Sequence, residues 1–157
     1  MTASLRGNFA PSTVSAHIAV RGAEAAAAWY ERAFGAELGR RIAVPDGRFM
    51  EIEVRLGDSV VSICDEFPEM GVVSPLSLGG TYGALHIATT DASTVWSQAL
   101  AAGAEVHQEL ADTFWGERHG QIIDPFGHRW GISQRLRDVS DEEMAAAVAK
   151  AFGSPTA

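Results

Sequence analysis

The chain has 157 residues, a formal net charge of −8 and an isoelectric point near 5.0, with no run of Lys or Arg. Surfaces that bind nucleic acid or anionic membranes need clustered positive charge, so we expect neither partner. No apolar run approaches the ~20 residues of a membrane span, and the single cysteine, Cys64, excludes an internal disulfide. These features favour a cytoplasmic globular protein of one domain, or of two small modules that share a core.

The sequence contains one phrase twice. The stretches AHIAVRGAE and ALHIATTDA contain His17 and His86, which are 69 positions apart, and Ile63 and Ile132 have the same offset. A repeat over this distance indicates a duplicated structural unit. We therefore predict the following organisation: a flexible tail at 1–12, a first module at 13–66, a linker at 67–80, a second module at 81–135, and a C-terminal helix and tail at 136–157.

Each module is predicted to contain a strand, a helix and three further strands. In the first module, GAEAAAAWYERAF predicts a helix because it is rich in alanine and is followed by Gly35, a typical helix end. Turn-forming residues, PDG and LGDS, separate the later strands. The predicted strands are Val14–Val20, Glu37–Val44, Phe49–Leu56 and Ser59–Cys64.

The second module repeats this order. A helix is predicted over Ala92–Ala102, and DPFG predicts the last tight turn, which we expect Asp124 to brace. The linker is rich in Pro and Gly, and Ser140 with Glu143 forms a capping box before a short amphipathic C-terminal helix. The predicted strands are Leu85–Thr89, Glu105–Leu110, Arg118–Ile123 and Arg129–Gln134.

Side chains alternate across a strand, so each histidine of the repeated phrase lies opposite the bulky apolar residues. In the second module, Leu85 and Ile87 point one way and His86 points the other. We expect the apolar face to pack against the helices, whereas the histidine face, lined by small residues, leaves room for a cavity. An ordinary core position is the alternative interpretation of each histidine.

These features resemble the vicinal-oxygen-chelate superfamily, which includes glyoxalase I, extradiol dioxygenases, fosfomycin-resistance enzymes and bleomycin-resistance proteins. The resemblance covers residues 13–135 and rests on the duplicated βαβββ pattern, the two HIA phrases, WYERAFGAEL and IIDPFGHRWGI. It implies an α+β fold in which two tandem βαβββ modules curl their mixed sheets into a cup, followed here by a short C-terminal helix. It implies no particular reaction, because function depends on the site rather than on the fold.

The resemblance also implies a metal ligand on the first and the last strand of each module. His17 and His86 occupy the first-strand positions and are candidate metal ligands, whereas the last-strand positions hold Ser62 and Gly131 instead of carboxylates. Two imidazoles alone hold a divalent ion weakly, since catalytic zinc sites usually keep three protein ligands. We therefore expect either no cofactor or one divalent metal ion (Zn, Ni, Fe or Mn).

Several other residues have two interpretations each. Cys64 is suited to zinc or is a small buried thiol. Glu51 and Glu53 share one face of a strand, which points into the cup or to solvent. His119 and His128 lie near turns, which is typical of surface residues.

A pair of aromatic residues lies in a predicted loop of the second module. Phe114 and Trp115 stand next to Gly116, and such residues either line a ligand site or close one end of the cup. Trp29 and Trp96 are predicted to lie on helices and to belong to the core. The candidate ligand-binding residues are therefore His17, His86, Glu51, Glu53, Ser62, Phe114 and Trp115.

Two functions agree with these residues. The first is the sequestration of a mostly apolar or cationic small molecule, such as an antibiotic, with the two loop aromatics stacked on the ligand and the two glutamates facing a cationic group. The alternative is a metal-dependent lyase, isomerase or dioxygenase in which the two histidines hold an ion that polarises vicinal oxygens. The incomplete ligand set favours the first. An exposed sheet edge in each module favours a homodimer, and the cup forms within one chain or between two.

Overall fold

The computed structural model describes residue 9 and residues 13–153. Its elements follow the predicted order, βαβββ twice and then a helix. The eight strands are β1 (Ala16–Val20), β2 (Glu37–Ala43), β3 (Phe49–Leu56), β4 (Ser59–Asp65), β5 (Leu85–Ala88), β6 (Glu105–Asp112), β7 (Glu117–Ile123) and β8 (Arg129–Arg135). The helices are α1 (Ala23–Phe34), α2 (Pro75–Leu78), α3 (Ala92–Ala101) and α4 (Asp141–Phe152).

The strands form two open, mixed sheets of four strands each. Their orders are β1-β4-β3-β2 and β5-β8-β7-β6, so the first and last strands of each module are parallel neighbours and the other pairs are antiparallel. The predicted α+β class with two tandem modules is confirmed. Within the described part of the chain, β1 and β5 each have one edge without a strand partner.

One side of each sheet, the core face, packs against α1 or α3. The central strands contribute Ile52 and Ile63 in the first module and Ile122 and Ile132 in the second, all fully buried. Burying an isoleucine side chain contributes about 1.5–3 kcal/mol, which makes these residues the main apolar anchors of the sheets. Helices α1 and α3 also contact each other, so the two modules share one core.

Trp29 of α1 and Trp96 of α3 are buried, as predicted. The indole Nε1 of Trp29 donates to the carbonyl of Ala102 at 2.7 Å, which connects the first module to the end of α3. Helix α1 ends where predicted, because Gly35 adopts a left-handed conformation with φ of 67°. The helix therefore turns directly into β2.

A buried carboxylate joins the modules. Asp124, in the turn between β7 and β8, accepts hydrogen bonds from the hydroxyl of Tyr30 at 2.7 Å and from Nε1 of Trp130 at 2.8 Å. Its other oxygen accepts from the backbone N–H groups of Phe126 and His128, both at 2.9 Å. Burial, and then the charge of Asp124, raise the pKa of Tyr30. Asp124 therefore braces the turn, as expected, and also links the turn to α1.

The structure differs from the prediction at several places. Strand β1 begins at Ala16, so Val14 is exposed instead of packing on the core face. The segment predicted as a linker contains two short helices that were not predicted, the 3₁₀ helix Pro68–Met70 and α2. Ser140 caps α4 by accepting from the Glu143 backbone, but the Glu143 side chain pairs with Arg137 instead of returning to Ser140. The predicted tail at 1–12 lies outside the described residues except Phe9, whose ring lies against the Arg55 guanidinium.

No helix in the described part of the chain is long and apolar enough to cross a membrane.

Candidate functional site

The side of each sheet opposite the core face is called here the open face. His17 on β1 is the direct register partner of Ser62 on β4, and His86 on β5 is the partner of Gly131 on β8. Both histidines are exposed, whereas their neighbours Ile18 and Ile87 pack against the core. The two modules therefore present the four predicted positions as two matched pairs.

The open face of the first module carries a polar network. One oxygen of Glu51 pairs with the Arg40 guanidinium, and the other accepts from the hydroxyl of Ser62 at 2.9 Å. All three side chains are partly buried. Arg40 already neutralises part of the charge of Glu51, and each carboxylate oxygen already has a partner, so Glu51 offers less to a cationic ligand than a free carboxylate would.

Glu53 has a structural position beside this network. Its side chain is only 7% exposed, and Oε2 accepts from the backbone N–H of Arg40 at 3.0 Å. The β2–β3 register shifts between Leu38 and Arg41, so the carboxylate supports an irregular stretch of β2. Of the two predicted directions for the glutamate pair, the structure places both on the open face rather than in solvent.

The open face of the second module carries imidazoles. His86 Nε2 lies 2.8 Å from the hydroxyl of Ser133, and its ring is stacked on the ring of His119 with centroids 5.4 Å apart and planes at 21°. His119, on β7, is only 9% exposed. Burial, followed by the neighbouring His86, lowers the pKa of His119, and Glu117 opposes this shift. Burial at this position therefore disfavours the charged form of the His119 imidazole.

The imidazole of His119 is next to the two aromatic side chains of the loop before β7. The ring centroid of Trp115 lies 5.9 Å from that of His119, and the ring of Phe114 meets Trp115 edge to face at 5.0 Å. The order Phe114, Trp115, His119, His86 is called here the aromatic row. Trp115 Nε1 donates to Glu117 at 3.2 Å, which orients the indole. The row is a series of flat surfaces at ordinary aromatic contact distances.

Two cavities lie along the unpaired edges of β1 and β5. The larger has a volume of about 520 Å³ and is lined by His86, Trp130 and the turn between β3 and β4. The smaller, of about 350 Å³, includes His17 and the segment before β5. Both volumes are within the range of small-molecule pockets. His86 belongs both to the larger cavity and to the aromatic row.

The family model of the Glyoxalase/Bleomycin resistance protein/Dioxygenase superfamily matches residues 12–132. The chain belongs to this superfamily. A relative, uncharacterized protein Rv0887c of Mycobacterium tuberculosis (strain ATCC 25618 / H37Rv), is 39% identical over 139 residues, which cover 86% of this chain and 81% of that protein.

Solved structures agree with this membership in the superfamily. TioX from Micromonospora sp. ML1 is 24% identical, with a TM-score of 0.61 over 80% of this chain and 100% of that chain. TnmS3, described as an antibiotic binding protein from Streptomyces sp. CB03234, is 25% identical, with a TM-score of 0.59 over 81% of this chain and 98% of that chain.

The superfamily's metal positions do not fit a metal ion in this chain. Ser62 and Gly131 stand where carboxylate ligands are expected, and His86 Nε2 is already engaged by Ser133. Residue 9 and residues 13–153 contain no group of three His, Cys, Asp or Glu side chains placed to hold an ion. Cys64 adds no ligand to such a group. It is buried, and desolvation raises the pKa of its thiol, as in an inert core cysteine.

The expectation of a surface position is wrong for His119, whereas His128 takes part in the turn, where its backbone N–H donates to Asp124. His119 is buried in the aromatic row, and His128 is partly buried with Nε2 2.8 Å from the carbonyl of Ala19, across the gap between the modules. His119 and Ser133 were not among the predicted site residues. The available signal for His119 was its alternation with Ile122 and Gly120 on β7, which places it on the open face.

Proposed function

We propose that this protein binds a mostly apolar small molecule in the cup formed by its open faces, without a complete metal site. The observation that carries this proposal is the aromatic row of the second module. Its four rings are held by packing and by hydrogen bonds to Ser133 and Glu117. Rings that are ordered before binding lose little entropy when a flat ligand stacks on them.

An antibiotic is the ligand class that the comparisons favour. The description of TnmS3 as an antibiotic binding protein, at 25% identity and over 81% of this chain, supports a sequestering role. The predicted cationic character of the ligand has less support, because Glu51 and Glu53 are already bonded within the first module. We therefore place the binding contacts mainly on the second module.

The alternative, a metal-dependent lyase, isomerase or dioxygenase, needs an ion between His17 and His86. The residues present supply no carboxylate at the two remaining positions. We propose that ligand binding here needs no bound metal.

A homodimer in the cytoplasm completes the proposal. The unpaired edges of β1 and β5 and the exposed apolar residues Val148 and Phe152 of α4 are surfaces that a second copy would cover. The buried free thiol of Cys64 is compatible with a reducing compartment. Sedimentation velocity at several concentrations tests the dimer, and a monomer throughout contradicts it.

The first test is a thermal-shift screen of the metal-free protein with an antibiotic library, followed by calorimetry on each compound that stabilises it. We expect one ligand per cup, with binding lost when Phe114 and Trp115 are both changed to Ala. The matched control is Met70→Ala, which removes an exposed apolar side chain outside the described cavities and is expected to leave binding unchanged.

Metal titrations complete this test. Ni²⁺ and Zn²⁺ are titrated into the wild type and into the His17→Ala/His86→Ala double variant, and we expect the same weak binding in both. Tight binding of one ion that disappears in the double variant contradicts the proposal and favours the metal-dependent alternative. A library in which nothing binds contradicts it as well.

A further inference from the structure

Gly131 makes room for the imidazole pair. A Cβ at this position would lie 3.0 Å from His86 Nδ1 and 3.3 Å from His119 Cε1, both closer than ordinary carbon contacts. The backbone of Gly131 does not have the positive φ that requires glycine, so space is the reason for the missing side chain. A glycine inside a strand often marks such a close approach. Both rings therefore lie over the backbone of β8.

His86 is held in one orientation. Its Nε2 contacts Ser133, and one side of the ring is stacked on His119, which is buried against Trp115. The His86 side chain is nevertheless exposed and lines the larger cavity, so the part of the ring that does not contact His119 is accessible to a ligand. His17, at the equivalent position of the first module, is also exposed but has no hydrogen bond or ring contact among the described residues.

The surroundings of this pair are nearly free of charge. The strand partners of His119 are Ala111 on β6 and Ser133 on β8, neither of which titrates. The titratable groups that face it are His86 on β5 and Glu117 on its own strand. Glu117 is engaged by the indole of Trp115. Among these neighbours no carboxylate without a partner faces the rings, so a charged ligand would lose hydration there without gaining an ionic partner, whereas an uncharged π-system would not.

On the basis of the proposed function, we propose that the ligand contains an uncharged, planar aromatic ring system that stacks on the open side of His86. Gly131 provides the space for this arrangement, and His119 is a positioning residue that supports His86 from behind. The position at which a metal ligand is expected thus becomes a stacking platform. The site discriminates by ring planarity and charge rather than by coordination of oxygen.

The probes are acridone, a neutral planar tricycle, and N-methylacridinium, which has the same ring frame with a positive charge. Fluorescence anisotropy at pH 7.5 is expected to show one acridone per cup, and at least tenfold weaker binding of N-methylacridinium. His86→Ala is expected to weaken acridone binding at least tenfold. The matched control is His107→Ala, which removes an exposed histidine of β6 outside the two cavities described above, and it is expected to change acridone affinity less than twofold.

The Gly131→Ala variant tests whether the position of the His86 ring matters for binding while the fold stays intact. The added methyl displaces the exposed His86 ring, while the backbone accepts alanine without strain. We expect acridone to bind at least fivefold more weakly to this variant at an unchanged melting temperature. Ser97→Ala, a similarly small change at an exposed position of α3 outside the described cavities, is the control and is expected to leave acridone affinity unchanged.

A conservative substitution tests the role of His119. His119→Phe keeps a flat supporting ring behind His86, so its acridone affinity is expected to stay within about threefold of the wild type. His119→Ala is expected to bind acridone at least tenfold more weakly, because His86 loses its support.

Three outcomes overturn this inference. They are acridone affinity that does not depend on His86, equal binding of the two probes, and no acridone binding up to its solubility limit. If library compounds still bind and require Phe114 and Trp115, the proposed function stands and only the imidazole platform fails. If no compound binds at all, the proposed function fails first.

Discussion

The two modules share a backbone plan but differ in the chemistry of their open faces. Register pairs Ile52 with Ile63 and Gly120 with Ile132, so Glu51 in the first module corresponds to His119 in the second. Glu51 is held in an ionic network, whereas His119 supports a stacked imidazole. The first open face pairs the carboxylate of Glu51 within its own module, whereas the second presents a row of aromatic rings.

The turns after β2 and β6 show the same divergence on a common frame. Each turn has five residues, and the backbone N–H of the first donates to the carbonyl of the fifth: Val44 to Arg48 at 2.8 Å, and Thr113 to Glu117 at 2.8 Å. In each turn the N–H of the glycine at the fourth position donates to the carbonyl of the first residue. Gly47 and Gly116 have φ of 91° and 86°. The two residues before the glycine are Pro-Asp in the first module and Phe-Trp in the second. The two turns therefore share their backbone hydrogen bonds, and only the turn of the second module carries aromatic side chains.

The largest expected effect concerns the link between the modules. Asp124→Ala leaves four donors around a buried carboxylate site without their acceptor, and we expect the free energy of unfolding to fall by about 3–5 kcal/mol. Urea denaturation followed by tryptophan fluorescence measures the change.

The matched control is Asp58→Ala, in the corresponding turn of the first module. Asp58 is exposed, and its described contact is with Ser59 at 3.0 Å. A change within about 0.5 kcal/mol is expected there. Equal losses for both variants would show that Asp124 does not join the modules more strongly than a surface turn residue does.

The second prediction transfers the turn of the first module into the second. In the Phe114→Pro/Trp115→Asp variant the shared hydrogen-bond frame is kept, so we expect the melting temperature to fall by less than about 5 °C. Acridone binding is expected to weaken about tenfold or more, or about 1.4 kcal/mol. A stable variant with wild-type affinity would exclude the loop aromatics from the site.

Much of the fold could be predicted because its signals are local and repeated. The alternation of apolar and polar residues predicts β3 with the bounds that the structure has, Phe49–Leu56. The alanine content and the terminal Gly35 likewise predict α1. The short α2 was missed because Pro75 opens a helix of only four residues within a Pro- and Gly-rich stretch. The brace at Asp124 was expected, but its bond to Tyr30 joins residues 94 positions apart and has no local pattern.

The site was harder to predict because its partners meet only in the folded chain. Alternation places His86 on the open face, but the burial of His119 depends on how the Trp115 loop folds back over β7. Similarly, Arg40 reaches Glu51 after a register shift in β2 that no spacing rule predicts. The residue types at the superfamily's metal positions can be read from the sequence, whereas a neighbour such as Ser133, 47 positions from His86, has no local pattern.

A smaller effect is expected in the segment that joins the modules. Hydrogen bonds from Ser74 and then Ser77 lower the pKa of Glu66 from 4.5 to about 2. Because the folded-state pKa is depressed, this stabilisation is present above pH 4.5 and is lost as the pH falls toward 2. Glu66→Gln is therefore expected to show a shallower loss of stability than the wild type in urea titrations between pH 5 and pH 2.5. A parallel pH dependence of the two proteins would contradict this assignment.

The smallest effect is expected from the reciprocal turn exchange, Pro45→Phe/Asp46→Trp. It removes the exposed pair between Asp46 and Arg48, and isolated surface pairs contribute little to stability. The new rings would stand beside Glu51, which is paired with Arg40, instead of beside a stacked imidazole. We therefore expect an unchanged melting temperature and no second binding site for acridone in calorimetry. If a second site does appear, aromatic turn residues alone are sufficient for binding, and the difference between the modules lies in the turn rather than in the imidazole pair behind it.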